Sequence, residues 1–290
     1  MRFLFIRAHA RIFHIRTMCR VLAVSRAGYY AWCARPLCQR VQDDRVLRER
    51  IRQIHEAVRH RYGSPRVHQE LRALGLRCGK KRVARLMRSE GLRATSVPRY
   101  RVTTHSGHRE PVMPNHLNRQ FGVGPTGGST ARWAADLTYL PTGEGWLYLA
   151  VVVDLASRRV VGWALRTRLD HTLALTALQM ALRHRRPPRG LHHSDRGVQY
   201  ASAAYQAELR AAGFTASMSR VGDCWDNAVV ESFFATLTKE LLVDRVFATR
   251  AAASRAVFEF IEVWYNRQRR HSTLGYRTPV EFEEELQQAT

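Results

Sequence analysis

Three acids stand where an acid is out of place. Asp136 interrupts the apolar stretch "ARWAADLTYLP" (131–141), and Asp195 closes "GLHHSD" (190–195). Glu231 lies among Val229, Val230, Phe233 and Phe234 in "AVVESFFATLTKELL" (228–242). A carboxylate in apolar surroundings is costly unless it is paired, hydrogen-bonded or metal-bound. Between Asp136 and Asp195 lie 58 residues, and between Asp195 and Glu231 another 35, so only a fold can gather them. Once gathered they repel, and a divalent cation removes that penalty. All-oxygen ligation selects Mg²⁺ or Mn²⁺. Two such ions about 3.5–4 Å apart activate a nucleophile and stabilise the leaving oxygen of a phosphodiester.

Other groups compete for the role. Asp154 ends a strand before a turn, where aspartate serves ordinary turn chemistry. Asp170 suits a helix cap, and Asp226 or Asn227 suits the cap of the helix carrying Glu231. Asp223 is read with them as structural. His192 and His193 alternate across a strand, and His193 is the one on the side of the acid that could touch a substrate phosphate.

The elements that must position these acids follow from periodicity. Residues 131–141 read as one strand, and 145–165 as two strands joined near 156–158. The near-continuous apolar run of the second strand predicts burial on both faces. A helix over 170–186, a strand over 190–195, a helix over 200–212, a strand over 214–219 and a long helix over 228–242 complete the order. Three antiparallel strands followed by alternating helix and strand is the order of a ribonuclease-H-like α/β core, a mixed five-stranded sheet with flanking helices. Sites in such sheets form at the carboxyl ends of strands, where Asp195 falls.

The first half of the chain is built differently. Of 47 Lys and Arg against 24 Asp and Glu overall, residues 1–132 hold 28 basic and 7 acidic, and residues 133–290 hold 19 and 17. The net charge of +23 favours a polyanionic partner, nucleic acid foremost. "MCRVLAVSRAGYYAW" (18–32) predicts two short helices with Ser25 capping the second. A helix over 43–60 turns Val46, Ile51, Ile54 and Val58 inward. In "YGSPRVHQELRALGLRCGKKRVARLMRSEGL" (62–92), Ser64 caps a helix that Gly75 stops, and a second runs from about Lys80 to Glu90. Its Val83, Leu86 and Met87 face inward, leaving Lys80, Lys81, Arg82, Arg85 and Arg88 as candidate DNA contacts of a helix-turn-helix-like, all-α region. "NRQRRH" (266–271), an exposed basic helix end, adds Arg269 and Arg270.

Prolines 98, 111, 114 and 125 with "GPTGG" predict an extended, partly mobile linker. The expected organisation is thus 1–40 a helical segment, 41–95 the DNA-binding domain, 96–130 the linker, 131–246 the catalytic core and 247–290 a helical extension. Five scattered cysteines without a paired CxxC pattern argue against structural zinc and fit a reducing cytoplasm. The apolar run from 147 to 153 is too short to span a bilayer, so no membrane partner is expected.

"WAADLTYL", "HHSDRGVQY" and "DNAVVESFFATL", in this order and spacing, resemble the DDE transposase/retroviral-integrase superfamily. More narrowly, "VSRAGYYAW", "YGSPRVHQEL", "KRVARLM" and "YNRQRRHSTLGYRTP" resemble the second-frame (OrfB) transposase of the bacterial insertion-sequence-three family over nearly the whole chain. The resemblance implies that Asp136, Asp195 and Glu231 form a catalytic, metal-holding triad with two Mg²⁺. It implies cleavage by water and then strand transfer by a DNA 3′-OH, with no covalent enzyme–DNA intermediate and no ATP. Its implied partners are double-stranded DNA, both element terminal repeats and target, further copies in an oligomer on that DNA, and an upstream-frame product with a helix-turn-helix and leucine zipper. Family members commonly carry Lys seven residues after the Glu; here that position is Thr238, with Lys239 next, rotated by about 100° and a further candidate DNA contact. No heptad zipper is present. The alternative function is a DNA-binding regulator or inactive fragment that depends on the upstream-frame product.

Overall fold

The computed structural model describes residues 1–36, 38–95, 111–123, 130–187, 189–221, 223–243 and 245–288. Six helices come first: α1 (Arg2–His9), α2 (Ile15–Val21), α3 (Arg26–Ala34), α4 (Gln39–Ala57), α5 (Ser64–Ala73) and α6 (Lys80–Ser89). Ser25 caps α3, its hydroxyl accepting from the Gly28 amide. Ser64 does not cap α5: Gly63 holds the N-cap position and no side chain closes that end, so Ser64 is itself helical beside Pro65. On α4 the inward face runs Asp44, Leu47, Ile51 and Ile54, while the expected Val46 is 59% exposed. Asp44 turns the stripe, because its carboxylate reaches two arginines of α6. Val67, Leu71, Val83, Leu86 and Met87 are buried and join α4, α5 and α6 into one apolar core.

The sheet follows. β1 (Thr130–Thr142), β2 (Gly145–Asp154) and β3 (Val160–Arg166) form an antiparallel meander. Then come α7 (His171–Arg185), β4 (Arg189–Ser194), α8 (Val198–Ala201), α9 (Ala203–Ala211) and β5 (Phe214–Met218). Strand order is β3-β2-β1-β4-β5, with β4 parallel to β1 and β5 parallel to β4. This is the mixed five-stranded core the element order predicts.

Two apolar layers sandwich the sheet. Leu147, Leu149, Val151 and Val153 of β2 face one layer, and Ala150 and Val152 face the other. Their alternation is the strand period, and burial on both sides explains the unbroken apolar run. The second layer contains α7, α8 and α9. α7 lies so close to β3 that a Cβ on Gly162 would stand 2.2 Å from the Ala177 carbonyl oxygen. The first layer contains α10 (Ala228–Leu237) and α11 (Arg250–Phe258) and is continuous with the core of α4, α5 and α6. α12 (Pro279–Gln288) ends the described chain, and its Glu283 binds Arg159 and Arg185.

Residues 111–123, read from sequence as part of an extended linker, are packed on the core. Leu117 is 1% exposed. The His116 and Leu117 amides donate to the Ser217 hydroxyl, and Arg132 donates to the carbonyls of Gln120 and Gly122. A segment this rich in unpaired backbone groups gains partners only by lying on the sheet. Pro98, Pro125 and "GPTGG" fall outside the described residues. Among the described residues no helix is long and apolar enough to cross a membrane.

Candidate active site

The β1–β4 register sets the first two acids. Ala135 pairs with Ser194 across the parallel strands, so Asp136 and Asp195 are each the next residue along. Asp136 follows Ala134 on the sheet face that meets α10, because side chains alternate and Ala134 belongs to that layer. Asp136 is partly buried, with its Oδ1 accepting from the Leu137 amide at 2.7 Å. Asp195 is held by the turn beyond β4: its Oδ1 accepts from the Gly197 amide at 2.8 Å. A Cβ at Gly197 would lie 2.9 Å from that same oxygen. A side chain at 197 would therefore press on the end of the Asp195 side chain and not on backbone.

Glu231 comes from α10. Asn227 precedes it by one turn and ties the helix to β1: its side-chain amide donates to the Ala135 carbonyl at 3.2 Å, next to Asp136. The sequence suggested Asp226 or Asn227 as a side-chain cap, but neither side chain caps α10. Asn227 instead clasps the strand, and Asp226 is an ion-pair centre. The helix read as continuous to residue 242 ends at Leu237 and passes into a π-helical turn, Thr238–Leu242. A uniform 100° per residue therefore does not describe Lys239, which is half-buried while Thr238 is exposed.

Electrostatics single out the same group. Asp136 is pushed well above the usual carboxylate range, first by burial, then by the charge of Asp195, and least by that of Glu231. Glu231 is raised by burial. Tyr200 is 1% exposed, its hydroxyl has no hydrogen-bond partner, and burial, Asp136 and Asp195 all raise its pKa. Asn227 Oδ1 is likewise buried without a partner. Hard carboxylate oxygens that repel one another, ringed by orphaned polar atoms, fit a divalent cation. Among the described residues no three acid, His or Cys side chains are already gathered to hold one ion. The two aspartates are aligned by the sheet, and Glu231 acts on Asp136 more weakly.

The remaining expected contacts divide. Arg82 and Arg85 both bind Asp44 at 2.7 Å, while Lys80, Lys81 and Arg88 are exposed and form no ion pair among the described residues. Arg269 and Arg270 are not an exposed basic end. Arg269 is 6% exposed and binds Glu240 at 3.0 Å, and Arg270 binds Glu70 at 2.6 Å. Each has found an internal carboxylate that pattern reading cannot see. His192 and His193 do not alternate between core and surface, since both are buried. His192 Nε2 meets the Tyr205 hydroxyl, and the His193 ring lies between the hydroxyls of Ser217 and Ser219. Burial holds them at about 3 and about 4, neutral near pH 7. Asp154 is structural: it accepts from the Ala156 and Ser157 amides and from the Trp133 indole. Asp170 caps α7.

Sequence reasoning assigned Asp226 too small a part. It is buried and accepts from Arg119, Arg220 and Asn115, pinning the packed 111–123 segment beside α10. Arg220, six residues away, is the partner a local reading could have found; Arg119, 107 residues away, is brought to Asp226 only by the fold. Tyr200, in "HHSDRGVQY", has no sequence marker, since nothing in a sequence shows that a hydroxyl is unpaired.

Asp136 lies midway along β1 and Asp195 just past the end of the parallel β4, and the mixed five-stranded sheet with its flanking helices is that of the integrase-core class. Residues 128–224 and 212–279 each match an integrase core domain family, and residues 42–100 match an HTH-like domain family. The chain is 43% identical over 288 residues to "Transposase InsF for insertion sequence IS3A" of Escherichia coli (strain K12), covering 98% of both. It is 44% identical over 272 residues to "Insertion element IS600 uncharacterized 31 kDa protein" of Shigella sonnei, covering 93% of this chain and 99% of that one. The chain belongs to the transposase family of insertion sequence IS3. Among solved structures, a simian T-cell lymphotropic virus intasome covers 79% of this chain and 73% of its own at 17% identity and a TM-score of 0.44. The HTLV-2 integrase catalytic core in complex with magnesium covers 52% and 94% at 18% identity and a TM-score of 0.39.

Proposed function

We propose that this chain cuts DNA at the ends of an insertion sequence and joins those ends to target DNA, with Asp136, Asp195 and Glu231 holding Mg²⁺ or Mn²⁺. The observation that supports the reading is that Asp136 and Asp195 each follow the Ala135–Ser194 pair by one residue, with the charges of Asp195 and, more weakly, Glu231 both acting on Asp136. Divalent ions at this position would supply Lewis acidity to the attacking oxygen and the leaving oxygen of a phosphodiester. The chain's own residues do the rest. Asp136 and Asp195 present fixed oxygens from adjacent strands, and Asn227 anchors the helix that aims Glu231. In cleavage water attacks phosphorus and a 3′-OH leaves. In joining that 3′-OH attacks a target phosphodiester, so one ester replaces another.

DNA is gripped by the basic helical unit through Lys80, Lys81 and Arg88, which pair with no acid among the described residues. The chain works as an oligomer on DNA, with an upstream-frame product supplying the zipper it lacks. The test is a duplex carrying the element's terminal repeat, incubated with the protein and Mg²⁺ or Mn²⁺. Nicking at the repeat, and joining of a pre-cut 3′-OH end to a second DNA, are the expected results. Cleavage that persists in Asp195→Asn would overturn the assignment, and cleavage without joining would make the chain a nuclease.

A further inference from the structure

A second polar cavity lies beside α10, on a face distinct from the one that carries Glu231. Its volume is about 300 Å³, and Arg66, Arg158 and Arg269 line it with His271. These come from α5, from the turn between β2 and β3, and from the segment after α11, so three distant parts of the chain converge. Ser232 on α10 and Ser272 and Thr273 line the cavity with hydroxyls, while the Thr236 hydroxyl already donates to the Ser232 carbonyl. No carboxylate lines the cavity.

Glu240 claims Arg269 at 3.0 Å and stands 3.8 Å from Arg66, so Arg66 and Arg158 are the cations of the cavity without a close acid. Asp154 acts on Arg158 from β2, but its carboxylate is occupied by the Ala156 and Ser157 amides and the Trp133 indole. Arg158 Nη1 is buried with no hydrogen-bond partner, although Nη2 donates to the Phe121 carbonyl. Arg158 holds a left-handed φ of 62° in the tight turn closed by its amide on the Asp154 carbonyl. His271 reports the field inside: burial first, then Arg269, Arg66 and Arg158, push it down to about 2. It is a neutral ring near the Arg269 guanidinium, 3.3 Å from Nη1.

We propose that this cavity is a phosphate-binding pocket whose occupant is a backbone phosphodiester of DNA. Planar guanidiniums in a fork match phosphate oxygens, and hydroxyls complete such sites. Ser232 follows Glu231 by one residue, about 100° round α10, so a phosphate seated here lies alongside the candidate active site. The identity of the occupant as DNA rests on the proposed function; the pocket's preference for phosphate does not.

The test uses the full chain without divalent metal. Inorganic phosphate should raise the thermal unfolding midpoint above that in chloride of matched ionic strength. The shift should vanish in Arg158→Gln and in Thr273→Glu, whose exposed rim position tolerates a new side chain. It should persist in Asp195→Asn, which separates this pocket from the metal reading. In DNA binding followed by anisotropy, both pocket variants should flatten the plot of log K against log salt by about 1, the loss of one phosphate contact. Loss of the phosphate shift with an unchanged slope would overturn DNA as the occupant and leave free phosphate as the ligand. An equal shift in wild type and both pocket variants, or no shift in wild type, would overturn the pocket.

Discussion

Asp136, midway along β1, and Asp195, just past the end of β4, are each the residue after the Ala135–Ser194 pair of these neighbouring parallel strands. That alignment costs stability while no cation shares the site. Burial and the Asp195 charge hold the Asp136 carboxyl above its ordinary value of 3.8. The neutral form is therefore the one the fold prefers. The resulting stability is fully present below 3.8 and is lost as pH rises through the raised value. Asp136→Asn should raise the metal-free unfolding midpoint near pH 7, by about 2–4 °C for each kcal/mol released, and the gain should disappear in acid. A lower midpoint in the variant at pH 7 would contradict this.

Gly197 gives a cleaner separation of function from folding. A methyl group there would meet Asp195 Oδ1 at 2.9 Å, with an ordinary backbone φ of −61°. Gly197→Ala should displace the carboxylate and cut metal-dependent cleavage about 10- to 100-fold. The unfolding midpoint should change little. Calorimetry and a nicking assay on the same preparation check both halves.

The helical unit carries its own acid sensitivity. Asp44 is held at about 2, first by hydrogen bonds from Arg85 and Arg82. Its contribution is present above the ordinary 3.8 and is lost as pH falls through about 2. Asp44→Asn should cost about 1–2 kcal/mol at pH 7, reduced by the solvent around Arg85. It should also free two arginines and strengthen non-specific DNA binding at low salt. Urea unfolding and anisotropy measure the two effects.

Asp226 should matter for stability more than its place in a loop suggests. Its removal leaves Arg119 and Arg220 with Asp223 as their remaining acid and frees Asn115. Asp226→Ala should cost about 2 kcal/mol, below the figure for fully buried pairs because both arginines reach water. Proteolysis should then open the 111–123 segment first.

The sheet order and the burial of β2 were legible because strand alternation and apolar runs are local signals. The acids were legible for a related reason: Asp136 and Glu231 break apolar patterns, and Asp195 ends one. What the sequence hid is set by partners far along the chain. Arg269 and Arg270 look like a free basic tract, yet Glu240 and Glu70 claim them. Arg82 and Arg85 look like Lys80 and Lys81, and only the rotation of Asp44 into the α4 core distinguishes them. Residues 111–123 read as linker because prolines punctuate local structure; their packing depends on Ser217 and Asp226. The π-helical turn at Thr238–Leu242 has no sequence marker at all.

Binding of Mn²⁺ to the metal-free protein, followed by electron paramagnetic resonance, tests the account most directly. Wild-type protein should take up Mn²⁺ at a site that Mg²⁺ competes for, and Asp136→Asn or Asp195→Asn should weaken that uptake at least tenfold while the fold stays intact. Equal uptake by wild type and both variants would mean that these acids, aligned as they are, do not hold the ion.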